Sequence, residues 1–457
     1  MNSQKRLGEM KIGKLILEFS IPAIIGMLVN TLYNIIDRIF IGHIEGIGNI
    51  AMAGVGITMP LMTIILAFGM LIGIGTATKI SIKLGEHDKE GAEKLLGNAF
   101  TLIIIISIFL TIFGLAFSNP LLKIFGASEN IIGYGEEFIQ VIFSGCIFNM
   151  ISFGLNHSIR SDGSPRIAMA SMLMSAIINI ILDPIFIFGF NLGVRGGALG
   201  TVVAQTVSST WILYYFTKGA GVLKIRKENL KLSKKAVLSI IAIGISPFSM
   251  QLAQSAVQIV CNSSLQKYGG DIAVSAMTII GSVAMVFLMP IFGLNQGLQT
   301  IIGYNFGAKK YDRVKQAVKY GIITATVIVA VGFIIIEGAS EILVKAFNGD
   351  SSLIQVTSHG MRIFLIMLPF IGGQIVITNY FQSIGRVKIS MILSLLRQVI
   401  ILIPCLLIIP IFFGLNGVWI AGAASDFLSV TITFIVFIKK SKELSEDKKV
   451  KEAVLEN

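Results

Sequence analysis

Apolar runs long enough to cross a bilayer recur along nearly the whole chain, and no other property narrows its fold so far. About 20 apolar residues span the hydrocarbon core as a helix, and each such helix must satisfy its own backbone polar groups. The 457 residues have a mean hydropathy of +0.82 and only 14% are charged, which excludes a soluble globular domain. Twelve spans fit, at about 14–41, 50–77, 95–117, 134–157, 166–190, 196–218, 237–262, 272–298, 317–337, 357–383, 388–412 and 415–438. The first follows Lys5, Arg6, Lys11 and Lys14 but is too long for a signal peptide and lacks a small-x-small cleavage site. It is expected to stay as a membrane helix.

The net charge of +12 is explained by where the basic residues fall. One face receives the N-terminus, the 2–3 and 4–5 loops, the 6–7 loop with Lys224, Arg226, Lys227 and Lys231, the 8–9 loop with Lys309, Lys310 and Arg313, and the C-terminal tail. The other face has only Lys123, Arg195, Lys267, Lys345 and Arg362. The positive-inside rule then puts both termini in the cytoplasm, with no need for a nucleic-acid partner.

Six spans per half give the halves the same orientation, and the sequence carries a parallel repeat. Ser20-Ile21-Pro22 matches Ile245-Ser246-Pro247, Met59-Pro60-Leu61 matches Met289-Pro290-Ile291, Leu84-Gly85 matches Phe306-Gly307, and Arg160-Ser-Asp-Gly163 matches Gln382-Ser-Ile-Gly385. The expected fold is an all-α membrane protein whose twelve transmembrane helices form two six-helix lobes related by a pseudo-two-fold axis along the membrane normal. Residues 1–218 would form the first lobe, 219–236 a basic cytoplasmic linker, 237–438 the second lobe and 439–457 a charged tail. Prolines 60 and 290, at paired positions, are expected to permit kinks.

A carboxylate within a span survives only with a partner or a wet cavity. Asn179 and Asp183 in the fifth span are four residues apart and point the same way, beside Pro184. In the first span Asn30, Asn34 and Asp37 form a polar stripe. Counting from the helix ends, Asp37, Asp183 and Thr201 all fall roughly 8–9 Å below the outer surface, with Asn179 one turn deeper. Two acids with amide and hydroxyl oxygens at one level suit a monovalent cation or a shared proton, and the competing reading is a structural hydrogen-bond network. Asn30, Asn34 and Gln205 are supporting polar positions. Arg38 points about 100° away from Asp37 and is expected to snorkel outward.

The second half departs from this. Asn262 matches Asp37, on a neutral stripe with Gln254 and Gln258. Arg397 in span 11 and Asp426 in span 12 both come out near mid-bilayer, and consecutive antiparallel spans are expected to bring them together as an ion pair. These five are the candidate cleft residues of the second lobe. Cys146, Cys261 and Cys405 sit in apolar runs and read as inert thiols. His43, His87, His157 and His359 fall at helix ends or loops without metal-ligand spacing, His157 at the membrane interface.

Twelve spans in two lobes, Asp37 in the first, Asn179-x-x-x-Asp183-Pro184 in the fifth and Arg160-x-x-Gly163-x-Pro165 in the 4–5 connection together resemble the multidrug and toxin extrusion (MATE) family, and within it the bacterial MepA-type exporters. The resemblance runs from about residue 10 to 440. It implies cation-coupled export of small cationic or amphipathic drugs by alternating access, with Na+ or H+ as the coupling ion. The implied cation site falls on Asp37, Asn179, Asp183 and Thr201, with no cofactor and no metal beyond Na+ there. Some family members carry an acid in span 7; this chain has none. The chain is expected to act as a monomer in the plasma membrane and not as an enzyme. A lipid-linked precursor flippase of related architecture is the alternative, and would want a larger, more cationic cleft. An intramembrane enzyme would need a nucleophile–base pair or reactive aspartates.

Overall fold

The computed structural model describes residues 3–345, 347 and 350–455; of residues 3–5, 49 and those beyond 440 only the backbone is described. Among the described residues every element is helical. After a short helix Ser3–Glu9, the spans are α1 (Ile12–Gly42), α2 (Ile50–Gly85), α3 (Lys89–Ile124), α4 (Glu129–Ser144 and Cys146–Ser161), α5 (Pro165–Gly189) and α6 (Gly193–Thr217). The next six are α7 (234–269), α8 (271–307), α9 (Tyr311–Lys345), α10 (Ser351–Phe364 and Leu368–Ser383), α11 (387–413) and α12 (415–440). These are the twelve membrane helices of an all-α, multi-pass membrane protein. Helix continues from α12 through Leu455, and the side chains of the expected tail beyond Lys440 lie outside the described residues.

Local chemistry sets where the spans start, turn and bend. The Asp88 carboxylate caps α3 by accepting the Gly91 N–H at 2.8 Å, and Asp350 caps α10 by accepting those of Ser352 and Leu353. Between α7 and α8 the chain reverses at Gly270 (φ +64°), and between α11 and α12 at Gly414 (φ +55°). A side chain would be strained at either φ, so glycine permits a turn with almost no loop. α4 bends by 60° at Gly145 and α10 by 50° between its two segments. Pro60 does not kink a helix interior. It lies in the first turn after a break at 57–58, where its missing N–H has no intrahelical acceptor to lose. Two stretches widen to π-helix, Ile185–Gly189 at the end of α5 and Leu396–Leu402 within α11.

The chain divides into two compact units, one of residues 1–252, 292–317 and 382–387, the other of 253–291, 318–381 and 388–457. In the first unit α1 packs on α5, α5 on α6, and α2 on α4. The stretch from 219 to 233 is strapped down there. Asn98, fully buried at the start of α3, donates to the carbonyls of Asn229 (3.2 Å) and Lys231 (3.4 Å) and accepts the Ser233 N–H (2.7 Å). The Thr101 hydroxyl donates to the Leu230 carbonyl, and buried Glu93 holds Arg226 Nε at 2.8 Å. Asp162 accepts the Tyr215 hydroxyl at 2.5 Å and the N–H groups of Val222 and Leu223 at 2.9 and 3.0 Å.

The N-terminal helix is held in the same unit. Leu7 is buried; its carbonyl accepts from Asn305 Nδ2 (3.2 Å) and Arg313 Nη2 (3.1 Å). Arg313 also reaches the Met10 carbonyl (2.7 Å), Lys310 the Gly8 carbonyl (3.0 Å), and Arg6 pairs with Glu18. Cations at the last carbonyls of a helix complement its dipole. In the second unit α12 packs on α10 and on the π stretch of α11.

Candidate functional site

The packing of α1 and α6 on α5 brings Asp37, Asn179, Asp183 and Thr201 into one group. Asn179 and Asp183 stack one turn apart on the buried face of α5, where the Asn179 amide donates to Asp183 Oδ1 at 2.9 Å. The same Nδ2 reaches Thr201 Oγ1 on α6 at 3.3 Å. The Asp37 carboxyl, on α1, comes within hydrogen-bonding reach of that of Asp183. Asp183 is fully buried, Asn179 and Thr201 nearly so, and Asp37 half-buried.

The donor count is what distinguishes this group from a satisfied network. Asp37 Oδ1, Asn179 Oδ1 and Asp183 Oδ2 are all buried acceptor oxygens without a hydrogen-bond donor among the described residues. An unpaired buried acceptor costs roughly 1–3 kcal/mol and a buried charge more, so three side by side lack positive charge or a proton. Arg38 does not supply it. Its exposed guanidinium turns away and donates to Met59 Sδ. The oxygen set suits Na+, a hard monovalent cation, or a proton shared between the acids; among the described residues no cluster of three or more His, Cys, Asp or Glu side chains offers another metal site.

Two features of the site go beyond the residues selected by spacing. Gly197 and Gly200 present bare α6 backbone to the acids: a methyl at 197 would sit 3.1 Å from Asp37 Oδ1, and one at 200 would fall on Asp183 Oδ1. Tyr33, one turn before Asp37, lies within reach of the Asn30 and Asn34 amides and of both acids' fields; its i, i+4 spacing to Asp37 is the signal that marks it. Asn34 is exposed and donates to Asn30, to its carbonyl at 2.7 Å and its side chain at 3.2 Å. Gln205 is half-buried one turn past Thr201 and outside the hydrogen bonds of the group.

In the second unit, Arg397 Nε and Asp426 Oδ1 form the expected ion pair, at 2.7 Å. Gln258 donates to Asn262 Oδ1 at 2.9 Å on the exposed side of α7, and Gln254 is half-buried one turn earlier. His157 lies four residues from the end of α4 at Ser161. It is buried with Arg160 and Asn156 in a cluster where Arg160 donates to Asn156 Oδ1 (2.5 Å) and lies 3.1 Å from His157 Nδ1. The Asn156 amide in turn donates to the Ala168 carbonyl (2.8 Å) and to Ser171 Oγ (2.7 Å) on α5. Cys146 and Cys261 are buried free thiols and Cys405 is half-buried.

The MatE family model matches residues 22–185 and again 247–408. The chain belongs to the MATE family. The double match of this MATE protein falls on the two halves that its sequence repeat pairs. It is similar to the multidrug export protein MepA of Staphylococcus aureus (strain N315), 30% identical over 430 residues that cover 94% of each chain. Among solved structures, it is similar to the MATE multidrug transporter DinF-BH in complex with R6G, with 37% identity, a TM-score of 0.87, and coverage of 93% of this chain and 95% of that one. It also resembles the outward-facing conformation of a multidrug resistance MATE family transporter of the MOP superfamily, at 25% identity and a TM-score of 0.90, covering 98% of this chain and 99% of that one.

Proposed function

We propose that this MATE protein is a secondary exporter that expels cationic and amphipathic compounds across the plasma membrane in exchange for Na+ or H+. The observation that carries the reading is the trio of donorless buried oxygens on Asp37, Asn179 and Asp183. A site short of one positive charge is stable only when a cation or proton fills it. Filling it therefore changes the free energy of whichever arrangement of helices builds it.

That difference is what antiport requires. An ion drives alternating access only to the extent that it binds one access state better than the other, and a tenfold shift needs about 1.4 kcal/mol of differential affinity. Asp37 is half-buried while Asp183 is sealed behind it, so the ion meets Asp37 first and passes to Asp183. Asn179 keeps one oxygen of Asp183 occupied and leaves the other for the ion. Drug and ion then exchange as the two halves of the repeat rock about the occupied or vacated site. The basic loops, by the positive-inside rule, put both termini in the cytoplasm. The protein works as a monomer, carries no cofactor and catalyses no covalent step.

The test is dye efflux from vesicles under separately imposed Na+ and H+ gradients, with the parent, Asp37→Asn and Asp183→Asn. The expected result is gradient-driven efflux in the parent under at least one ion and its loss in both variants. Export by both variants at the parent's rate under each gradient would defeat the coupling role.

A further inference from the structure

The Arg397–Asp426 pair is built in a way that a purely structural pair is not. Arg397 lies about 15 Å along α11 from Val387, and Asp426 about 18 Å along α12 from Gly414, so both sit near the middle of the hydrocarbon. The Asp426 side chain is only 7% exposed, whereas that of Arg397 is 27% exposed. A guanidinium open to lipid at that depth is too costly to persist, so its exposed part faces water within the protein.

The contact itself is a single bond. Arg397 uses Nε alone, and among the described residues neither terminal amino group has a hydrogen-bond partner. Guanidinium and carboxylate ordinarily meet as two parallel N–H···O bonds, and a pair kept only for stability would gain by closing that fork. Here half of it is left open. The backbone there is tied down: Arg397 is the second residue of the π stretch Leu396–Leu402, and its own carbonyl accepts the Ser425 hydroxyl at 3.0 Å, which fixes the widened turn on α12. Wide turns of this kind recur where a helix positions a working side chain.

We propose that Arg397 is a specificity-determining residue for export. Its free amino edge binds the carboxylate of amphipathic zwitterions, while Asp426 anchors the Nε edge. This rests on the reading of the chain as an exporter and adds a substrate class to it. A cation with no carboxylate gains nothing from the free edge; a zwitterion gains a charge-assisted hydrogen bond, worth roughly 10- to 100-fold in kcat/KM.

Rhodamine 6G, an ester with a single positive charge, and its free acid, a zwitterion at neutral pH, differ at the deciding group alone. Both are followed in everted vesicles carrying the parent, Arg397→Gln, Arg397→Lys, or the double variant Arg397→Gln with Asp426→Asn, which leaves no unpaired acid. The expected result is that the Gln variants keep ester export and lose acid export by about tenfold or more, with partial recovery of the acid in the Lys variant. A parallel fall of both probes in every variant means a structural pair and overturns the proposal, as does acid export unchanged from the parent. If the parent moves the ester but not the acid, this inference fails while the exporter reading stands; if it moves neither, both fail.

Discussion

Replacing Gly200 by alanine is the sharpest test of how the acidic site is built. In an ordinary membrane helix the change would be mild, because alanine favours helix over glycine by about 1 kcal/mol. Here the new methyl would fall on Asp183 Oδ1, with Cγ at 3.2 Å and the Asp183 backbone nitrogen at 3.3 Å. Rotating the carboxyl away relieves the clash with Oδ1 but gives up the Asn179 bond and leaves the α5 backbone nitrogen closer than ordinary van der Waals contact. Either α6 moves off α5 by several tenths of an ångström or the carboxyl leaves the Asn179 amide. Overpacking of this kind costs about 1–3 kcal/mol, which exceeds or cancels the helix gain. If the strain falls on the site, coupling-ion affinity drops by about 5- to 150-fold. The assay is efflux of a fluorescent cation from vesicles titrated with the driving ion, with Gly281→Ala as control, a helical glycine whose added methyl would meet nothing within 4 Å. A half-saturating ion concentration in Gly200→Ala equal to that of parent and control would refute the reasoning.

Two further perturbations follow from the strapped segment of the first unit. Asn98→Ala removes four hydrogen bonds, to the carbonyls of Lys94, Asn229 and Lys231 and from the Ser233 N–H, and is expected to cost about 2–3 kcal/mol in thermal stability while exposing residues 219–233 to trypsin; an unchanged cleavage rate would count against the strap. Asp162, in the α4–α5 connection, has its carboxyl pushed up to about 6 by burial, against the pull of Tyr215 and two backbone N–H groups. The folded protein thus takes up this proton at higher pH than the unfolded chain does. The group's contribution to stability grows as pH falls from about 6 to about 4 and is lost as pH rises through that window. Asp162→Asn should flatten that part of the melting-temperature profile, and a slope identical to the parent's would exclude Asp162 as its source.

The grouping of Asp37, Asn179, Asp183 and Thr201 was legible in the sequence because membrane helices impose a ruler. With a fixed rise per residue and ends marked by loops, residues on different spans can be compared by depth, and spacing by four sets their direction. The same ruler paired Arg397 with Asp426. What it cannot read is what stands opposite a small residue. Gly197 and Gly200 matter only because α5 and α1 press on them, and nothing in their own neighbourhood along the chain says so. The burial of His157 and Arg160 was equally hidden: counting charges at loop ends records their sign, whereas their burial depends on Asn156, which links Arg160 to α5. Pro60 read as a kink because a proline within a long apolar run gives no sign that the helix has already broken before it. What holds 219–233 down could not be read along the chain, because its holders, Asn98 and Asp162, are far from it in sequence.

The docked N-terminus has a consequence for how the protein is made. The acceptor at Leu7 meets its donor Asn305 across 298 residues of chain. At about 5–20 residues per second, roughly 15–60 s of translation separate the two. Through that interval the opening segment emerges, waits and cannot settle. Its docking becomes possible only once α8, the second of the six spans of the second half, has been made, with four spans still to come.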